Sequence, residues 1–352
     1  MWFFVVKNVI LRMMNCRFFE WRGVDKMSFI EVKHICKTFK VPKREDGKFG
    51  ALKSFFNRKY EYIKAIDDIS FSIKKGEIVG YIGPNGAGKS TTIKILSGIL
   101  IPDSGTVIID KKTPWKDRKK YVSDIGVVFG QRSQLWWDIP AIESFNLLKD
   151  IYKLDNKEYQ KTLNELIELL NLKDIINIPV RQLSLGSRMR CEIAASLIHK
   201  PKILFLDEPT IGLDAVSKKI VRDFIKKINK KDKVTVILTT HDMSDITSLA
   251  KRIVLIGKGE VLYDGTLIKL RNKYDYLRKI KVITNDKIKF NENYIIETKN
   301  VKEGIEFIID IRKIEISKFI NILSSKLSII DIDIDSGNID DLIVKLYEDF
   351  KI

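Results

Sequence analysis

Cysteine and histidine are scarce in this chain, which has 352 residues and only three of each. Cys16, Cys36 and Cys191 show neither paired spacing nor the close spacing of metal ligands, which argues against a disulfide framework and a zinc site. Such cysteine usage fits a reducing compartment, most simply the cytoplasm. Three scattered histidines are too few for a metal cluster.

Long apolar runs are also missing, because no stretch reaches the ~20 apolar residues that a membrane-spanning helix needs. The opening segment, MWFFVVKNVILRMMNC, is apolar but is interrupted by Lys7 and Arg12 and lacks a cleavage site of small residues. It is therefore a poor match to a signal peptide. We interpret residues 1–26 as an N-terminal extension and favour Met27 as the start of the first domain.

Acidic residues are outnumbered, since 63 Lys and Arg face 46 Asp and Glu and give a formal net charge of +17. Residues 1–65 alone hold 15 basic and 6 acidic side chains. This excess is typical of proteins that meet nucleic acid or an anionic membrane face. Solvated lysines that serve only solubility explain it equally well, so the charge leaves the partner open.

Apolar strands alternate with helical patterns in the middle of the chain. Strand-like ILFLD at 203–207 and VTVILTT at 234–240 flank one predicted helix, which indicates a parallel sheet covered on both faces. Residues 132–190 have apolar side chains at helical spacing and predict a helical region. Beyond about residue 273, short alternating strands and two helices predict a separate small α+β domain.

Residues 83–91, GPNGAGKST, match the phosphate-binding pattern G-x-x-x-x-G-K-[ST] between a predicted strand and a predicted helix. The glycines let successive backbone N–H groups face phosphates. Lys89 is expected to reach the β- and γ-phosphate oxygens, and Ser90 to ligate Mg²⁺. The predicted nucleotide contacts are Gly83, Pro84, Asn85, Gly86, Ala87, Gly88, Lys89, Ser90 and Thr91.

The stretch ILFLDEPT places two carboxylates at the end of a buried strand, where α/β sheets bind ligands. We expect Asp207 to hold Mg²⁺ through water and Glu208 to act as general base on an attacking water. The alternative, two acids that only cap the next turn, is disfavoured after a phosphate-binding loop. His241 ends another apolar strand beside these two and predicts a γ-phosphate contact.

A second anion site is indicated by residues 182–190, QLSLGSRMR, where a serine and a glycine open a predicted helix. Backbone N–H groups and the helix dipole both favour an anion at such a position. Because the chain already has a phosphate-binding loop, the stretch alone does not say which phosphate it serves.

The order of GPNGAGKST, Gln131, LSLGS, ILFLDEP, IGLD and TTHD resembles the nucleotide-binding subunit of ABC transporters over roughly residues 28–270. The resemblance implies an α/β fold: a RecA-like P-loop NTPase core with an antiparallel β edge sheet and an α-helical subdomain near 132–190. With the small C-terminal α+β domain, it predicts an ATPase domain at 27–272 and an accessory domain at 273–352.

The resemblance also implies that two subunits, as a homodimer or a pseudo-symmetric heterodimer, pack head to tail around two ATP molecules. Ser184 and Gly186 of one subunit would then bind the γ-phosphate held by the partner's P-loop. Asp214 of IGLD would lie near that loop, and Gln131 would sense Mg²⁺ and the attacking water.

Two features depart from, or leave open, the family pattern. The usual signature Leu-Ser-Gly-Gly-Gln is here Leu-Ser-Leu-Gly-Ser, with Leu185 in place of a glycine and Ser187 in place of a glutamine. Because the signature serine and second glycine remain, we expect an active site. The adenine-stacking aromatic is predicted as Phe39, with Tyr60 and Tyr62 as alternatives, since any aromatic ring stacks on a base.

The implied function is an ATPase, converting ATP and water to ADP and phosphate, coupled to transport. We predict the motor subunit of an ABC-2-type exporter, at the cytoplasmic face of the cell membrane and bound to separate permease subunits. Trp136 and Trp137 lie where the family receives its membrane partner, although a place in the subdomain core is equally compatible with the sequence.

Three alternatives accompany this prediction. A polysaccharide- or teichoic-acid-type export ATPase is suggested by the basic, aromatic segment 40–62, in which residues 50–60 predict a short amphipathic helix. A non-transport ABC ATPase acting on nucleic acid is suggested by the charge. Long coiled coils, zinc cysteines and a second cassette are all missing from the sequence, so we expect no nucleic-acid partner. A regulatory protein that uses ATP only as a switch is the third.

Overall fold

The computed structural model describes most of the chain. The N-terminal extension, Gln131 and the segment predicted as a short amphipathic helix lie largely or wholly outside the described residues. The described ranges are 28–42, 60–130, 132–274, 276–284, 286, 292–335 and 339–349.

The strands of the described ranges form three sheets. In chain order they are β1 (Ser28–Pro42), β2 (Tyr60–Lys74), β3 (Ile78–Ile82), β4 (Ser104–Ile109), β5 (Ile125–Phe129), β6 (Ile203–Asp207), β7 (Thr235–Thr239), β8 (Arg252–Gly257), β9 (Glu260–Thr266), β10 (Leu277–Ile283), β11 (Ile295–Val301), β12 (Gly304–Asp310) and β13 (Asp331–Asp335).

The helices lie between and around these strands, with two 3₁₀ turns at Val122–Asp124 and Val180–Gln182. In chain order they are α1 (Lys89–Leu96), α2 (Arg118–Tyr121), α3 (Ala141–Ile151), α4 (Asn156–Leu169), α5 (Leu185–Leu197), α6 (Ala215–Asp232), α7 (Met243–Leu249), α8 (Leu267–Tyr274), α9 (Ile316–Lys326) and α10 (Ile339–Asp349).

The central sheet has the strand order β5-β6-β7-β3-β8-β9, in which only the β8–β9 pair is antiparallel. Successive side chains of β6 point to opposite faces, as a strand requires. Leu204 and Leu206 pack with the helical region, whereas Ile203 and Phe205 pack toward the smaller antiparallel sheet. Both faces are therefore buried, which explains why this strand is a continuous apolar run.

The smaller antiparallel sheet has the order β2-β1-β4 and covers α1. β1 and β2 form a long hairpin whose pairing runs from Ser28 opposite Lys74 to Pro42 opposite Tyr60. Ile30 of β1 and Ile66 of β2 are buried in the core. At the end of the hairpin where Pro42 faces Tyr60, the side chains are exposed. The hairpin therefore reaches beyond the core that supports it.

Helices α3, α4 and the start of α5 occupy the region predicted to be helical. Phe145 of α3 and Leu163 of α4 are buried in one cluster with Met189 and Ile193 of α5. Helix α5 also packs beside β5 and α6, so it joins the helical region to the central sheet.

The last part of the chain forms a four-stranded antiparallel sheet of order β11-β12-β10-β13. Helix α9 covers it, with the rings of Phe307 and Phe319 in an edge-to-face contact at 5.5 Å. Helix α10 instead contacts α8, and its Leu342, Ile343 and Leu346 join the large core cluster that contains Leu267 and Leu270 of α8. These features confirm the predicted fold class, while the limits at 27–272 and 273–352 stay predictions.

Candidate active site

A cleft of ≈ 1230 Å³ opens at the carboxyl ends of β3, β6 and β7. This is the edge of an α/β sheet at which ligands bind. Ala87 is buried in the core beneath and is the one predicted phosphate-loop residue that does not line the cleft. The predicted residues that do line it are Phe39, Gly83, Pro84, Asn85, Gly86, Gly88, Lys89, Ser90, Thr91, Asp207, Glu208 and His241.

The phosphate-binding loop ends where α1 begins, at a glycine in a left-handed conformation. Gly88 has φ +103°, and a Cβ there would lie 2.5 Å from the carbonyl oxygen of Ala65. Only glycine fits this turn. No side chain caps the first turn of α1. Its backbone N–H groups are thus left for an anion, as at other helix N-termini that bind phosphate.

Lys89 is nearly buried, with 7% of its surface exposed. Its Nζ donates hydrogen bonds to the carbonyl oxygens of Gly83 at 2.7 Å and Pro84 at 3.0 Å. Burial lowers the pKa of Lys89, and the charges of Glu208 and Asp207 act in the opposite direction. The ammonium of Lys89 thus lies inside the phosphate-binding loop, where it can contact a bound phosphate.

Asp207 and Glu208 are fixed at the end of β6 by Thr239, the last residue of β7. The Oγ1 of Thr239 donates to Oδ1 of Asp207 at 2.5 Å, and the backbone N of Glu208 donates to the carbonyl oxygen of Thr239 at 3.0 Å. Glu208 has φ +54°, an uncommon conformation for a residue with a Cβ. Backbone strain at such a position is typical of functional sites.

His241 faces Glu208 across the cleft, with its Nδ1 3.5 Å from Oε1 of Glu208. The side chain of His241 is 59% exposed, and that of Glu208 is 20% exposed. The imidazole and the carboxylate are thus direct neighbours, and both can contact a water or a phosphate oxygen beside them in the cleft.

The candidate adenine contacts lie at the same end of the β1–β2 hairpin, where Phe39 pairs with Ile63 and Tyr62 with Lys40. Phe39 lines the cleft together with Ile63. Tyr60 and Tyr62 do not line it and are 43% and 67% exposed. The Tyr60 ring instead lies 4.0 Å from Nζ of Lys40. The geometry thus favours Phe39 over both tyrosines, and its stacking on adenine stays a prediction.

The signature stretch has its own internal hydrogen bonds. Ser184 caps α5, since its Oγ accepts a hydrogen bond from the backbone N of Ser187 at 3.1 Å. A Cβ at Gly186 would lie 2.3 Å from Oγ of Ser217. Asp214 accepts from the N and from the Oγ of Ser217, both at 2.9 Å, and these bonds lower the pKa of Asp214. Ser217, which the sequence did not single out, therefore joins the signature to the IGLD loop.

The signature and the cleft are separate in one chain, because no residue between 182 and 190 lines the cleft. Comparison with known proteins shows the family to which the chain belongs. The family described as ABC transporter matches residues 66–211. The ABC transporter ATP-binding protein NatA of Bacillus subtilis is 34% identical over 212 residues, which are 60% of this chain and 86% of NatA.

This chain belongs to the ATP-binding proteins of ABC transporters. The linearmycin resistance ATP-binding protein LnrL of Bacillus subtilis is 37% identical over 57% of this chain and 64% of LnrL. Among solved structures, the ATP-binding cassette MJ0796 has a TM-score of 0.57 at 29% identity, over 68% of this chain and 98% of that chain. That structure is a dimer in a post-hydrolysis state, bound to ADP and Pi.

The donor set of this ABC protein fits a magnesium ion. Ser90 and Asp207 line the same cleft and offer hydroxyl and carboxylate oxygens. Hard oxygen ligands of this kind are those that Mg²⁺ prefers. Gln131, the third predicted ligand, lies outside the described residues, and its role stays a prediction.

Several residues that sequence reasoning missed also line the cleft of this ABC protein. Arg132 does so directly after Gln131, and its position beside a motif residue was a signal that could have been used. Ile343 and Tyr347 of α10 form another part of the wall. Burial raises the pKa of Tyr347 to about 12. No local pattern links α10 to a cleft built more than a hundred residues earlier.

Membrane-spanning helices are not found in the part of the chain that the structure describes.

Proposed function

We propose that this ABC protein is the ATP-hydrolysing motor subunit of an ABC-2-type exporter. The observation that most supports the ATPase part of this proposal is the incomplete cleft. It brings together the phosphate-binding loop, two carboxylates and His241, yet it lacks the signature stretch of its own chain. A second subunit that packs head to tail supplies the missing signature, as isologous two-fold symmetry allows.

Hydrolysis in this cleft follows from the positions of three side chains. Glu208 accepts a proton from the attacking water, and His241 orients the γ-phosphate end of ATP from the facing side. Lys89 neutralises phosphate charge as it builds up in the transition state. Ser90 and Asp207 would hold Mg²⁺, which would supply positive charge to neutralise the phosphate groups.

ATP holds the two subunits together because the γ-phosphate is bound from both sides. Ser184 and Gly186 of one subunit complete the phosphate site of the other, and Asp214 lies near the same interface. Loss of the γ-phosphate on hydrolysis removes the charge that both subunits share, so the dimer opens. The dimer contains two copies of this chain or this chain and a related one.

The membrane partner docks on an exposed apolar surface of the helical region, in our proposal. Trp136 and Trp137 are neighbours in the chain and are 46% and 49% exposed. Aromatic side chains exposed together are enriched at protein–protein interfaces. Docking there would place the ABC protein at the cytoplasmic face of the membrane beside separate permease subunits.

Export is supported by the name of LnrL, a resistance protein. A polysaccharide-type exporter is the nearest alternative, and most of the segment that suggests it lies outside the described residues. Action on nucleic acid gains no support, because α3 and α4 are short helices of 11 and 14 residues rather than a long coiled coil.

The substitution Glu208→Gln tests the proposal, because it removes the proton acceptor and keeps the shape of the side chain. We expect ATP turnover to fall by about 100-fold or more, and a stable dimer to form with ATP and Mg²⁺. Phosphate release and light scattering after gel filtration measure the two effects.

Glu297→Gln, on exposed β11, is the charge-matched control and should behave as wild type. A Glu208→Gln protein that hydrolyses ATP at the wild-type rate and stays monomeric with nucleotide would contradict the assignment.

A further inference from the structure

Glu192 is a buried carboxylate in the middle of the signature helix α5, with 3% of its surface exposed. It lies two turns after Ser184. Its two oxygens are both occupied: Oε1 accepts a hydrogen bond from Oγ of Ser133, and Oε2 accepts one from the backbone N of Gln134 at 3.1 Å. A side chain of α5 thus holds a segment 58 positions earlier in the chain.

This carboxylate is not explained by stability alone. Burial raises the pKa of Glu192, and the hydrogen bonds from Ser133 and Gln134 act in the opposite direction. A buried charge loses its hydration, and an apolar side chain of similar volume is often as stabilising or more so. A buried polar group can instead serve to hold one segment in a specific position against another, even when it adds no net stability.

Arg188 contacts the same segment from the same face of α5. Positions i and i+4 of a helix are neighbours on its surface, so Arg188 and Glu192 lie side by side. The Arg188 guanidinium lies 5.4 Å from the centre of the Trp137 ring. Residues 133–137 are therefore held by α5 at both ends.

The other side of the segment leads directly into the cleft. Gly130 lines the cleft and donates its backbone N–H to the carbonyl oxygen of Asp207 at 2.8 Å. The Gln134 side chain donates its Nε2 to the carbonyl oxygen of Val127, in β5, at 2.6 Å. The residues held by Glu192 are thus also fixed to the edge of the protein's own cleft.

We propose that Glu192 is a positioning residue, which couples the edge of the chain's own ATP cleft to the signature serine that serves the partner's cleft. This inference rests on the proposed function, because only in a head-to-tail dimer does Ser184 serve a second site. Glu192 connects Gly130 to α5 through residues 133–137. A change at one cleft then moves the signature that completes the other, and the exposed Trp136–Trp137 pair moves with it.

Glu192→Ala is the test that separates positioning from binding. ATP binding to the chain's own phosphate loop needs Lys89 but not Glu192, so we expect the Kd of a fluorescent ATP analogue to stay within about twofold. Turnover needs the signature in place, and kcat should fall by about tenfold, as misplacement without loss of a catalytic group produces.

Glu192→Gln provides the rescue. Its amide oxygen can accept from the backbone N of Gln134, and its NH₂ group can donate to the hydroxyl of Ser133. We expect kcat to return to within about threefold of wild type. Ser196→Ala is the matched control, because Ser196 is buried in the same helix and bonds only to the Ile193 carbonyl oxygen.

Ser133→Ala completes a double-mutant cycle with Glu192→Ala. If Glu192 acts through Ser133, the two effects on kcat are not additive. Ser133→Ala removes one hydroxyl, so it also serves as the test should Glu192→Ala fail to fold.

Different outcomes overturn different statements. A kcat of Glu192→Ala within about twofold of wild type, a Kd that rises as much as kcat falls, or additive effects in the cycle would overturn the coupling role and leave the proposed function standing. A wild-type protein that binds ATP but neither hydrolyses it nor dimerises with it would overturn both.

Discussion

The N-termini of α1 and α5 are two candidate phosphate sites with different local structures. The first turn of α1 has no side-chain cap and follows a glycine with φ +103°. The first turn of α5 is capped by Ser184 within the same chain. A cap from a side chain and a bound anion satisfy the same backbone N–H groups. One terminus is therefore built for a ligand, and the other is stable without one.

This difference fits the two roles that we propose. The α1 site holds ATP for as long as it is bound, so its N–H groups face the cleft permanently. The α5 site meets a phosphate only when two subunits close, and Ser184 keeps the helix intact in between. When the two subunits close, the backbone N–H groups of α5 exchange the Ser184 hydroxyl for a phosphate oxygen as acceptor. This is a smaller change than ordering a helix.

The largest effect should come from Lys89→Ala, which removes the charged partner of the α1 site. We expect ATP turnover to fall by about 100-fold or more, because an electrostatic group aimed at the transition state is lost. Turnover and binding of a fluorescent ATP analogue measure this. Lys120→Ala, an exposed lysine of α2, is the control. Unchanged turnover would place the phosphate elsewhere.

A smaller effect is expected for Ser184→Ala. Loss of the cap should lower the free energy of unfolding by about 1 kcal/mol, and loss of a phosphate contact should lower kcat by about tenfold. Denaturant unfolding and turnover separate the two effects. Ser187→Ala keeps the capping oxygen and should change both less. If Ser184→Ala lowers stability alone, the α5 terminus is structural and the comparison between the two termini fails.

The smallest effect is expected for Leu185→Gly, which restores the residue that the family usually has. Glycine costs about 1 kcal/mol in a helix interior. Because residue 185 is the first of α5, stability should fall by less than that. Ser184 and Gly186 remain, and turnover should stay within about threefold of wild type. A rise of more than about tenfold in turnover would mean that Leu185 obstructs the phosphate.

Local motifs made much of the cleft predictable. The conformations of the loop at 83–91 and of the strand ILFLD are determined by local sequence. Glycines at the turn determine where Lys89 lies, and the continuous apolar run determines where Asp207 lies. Strand β6 was predicted at 203–207 and is observed there. Gly83, Ser90, Glu208 and His241 were placed in one cleft because the carboxyl ends of parallel strands share an edge.

Long-range contacts were not predictable in this way. The bond from Glu192 to Gln134 joins a helix to a loop with no pattern that pairs them. Tyr347 lines the cleft because α10 packs against α8 rather than on its own sheet. Phe39 of β1 and Tyr62 of β2 lie one register position apart on facing strands, yet only Phe39 lines the cleft. These features depend on packing between segments that are distant in the chain, and such packing cannot be predicted from a single sequence.

Lys89 already has acceptors within its own chain, the carbonyl oxygens of Gly83 and Pro84. A phosphate that binds here must take the ammonium from these oxygens, so the net gain is smaller than the strength of the new contact suggests. The same oxygens are ready to receive Lys89 when ADP and phosphate leave. A motor that must repeat its cycle benefits from this, because moderate affinity lets the spent nucleotide go.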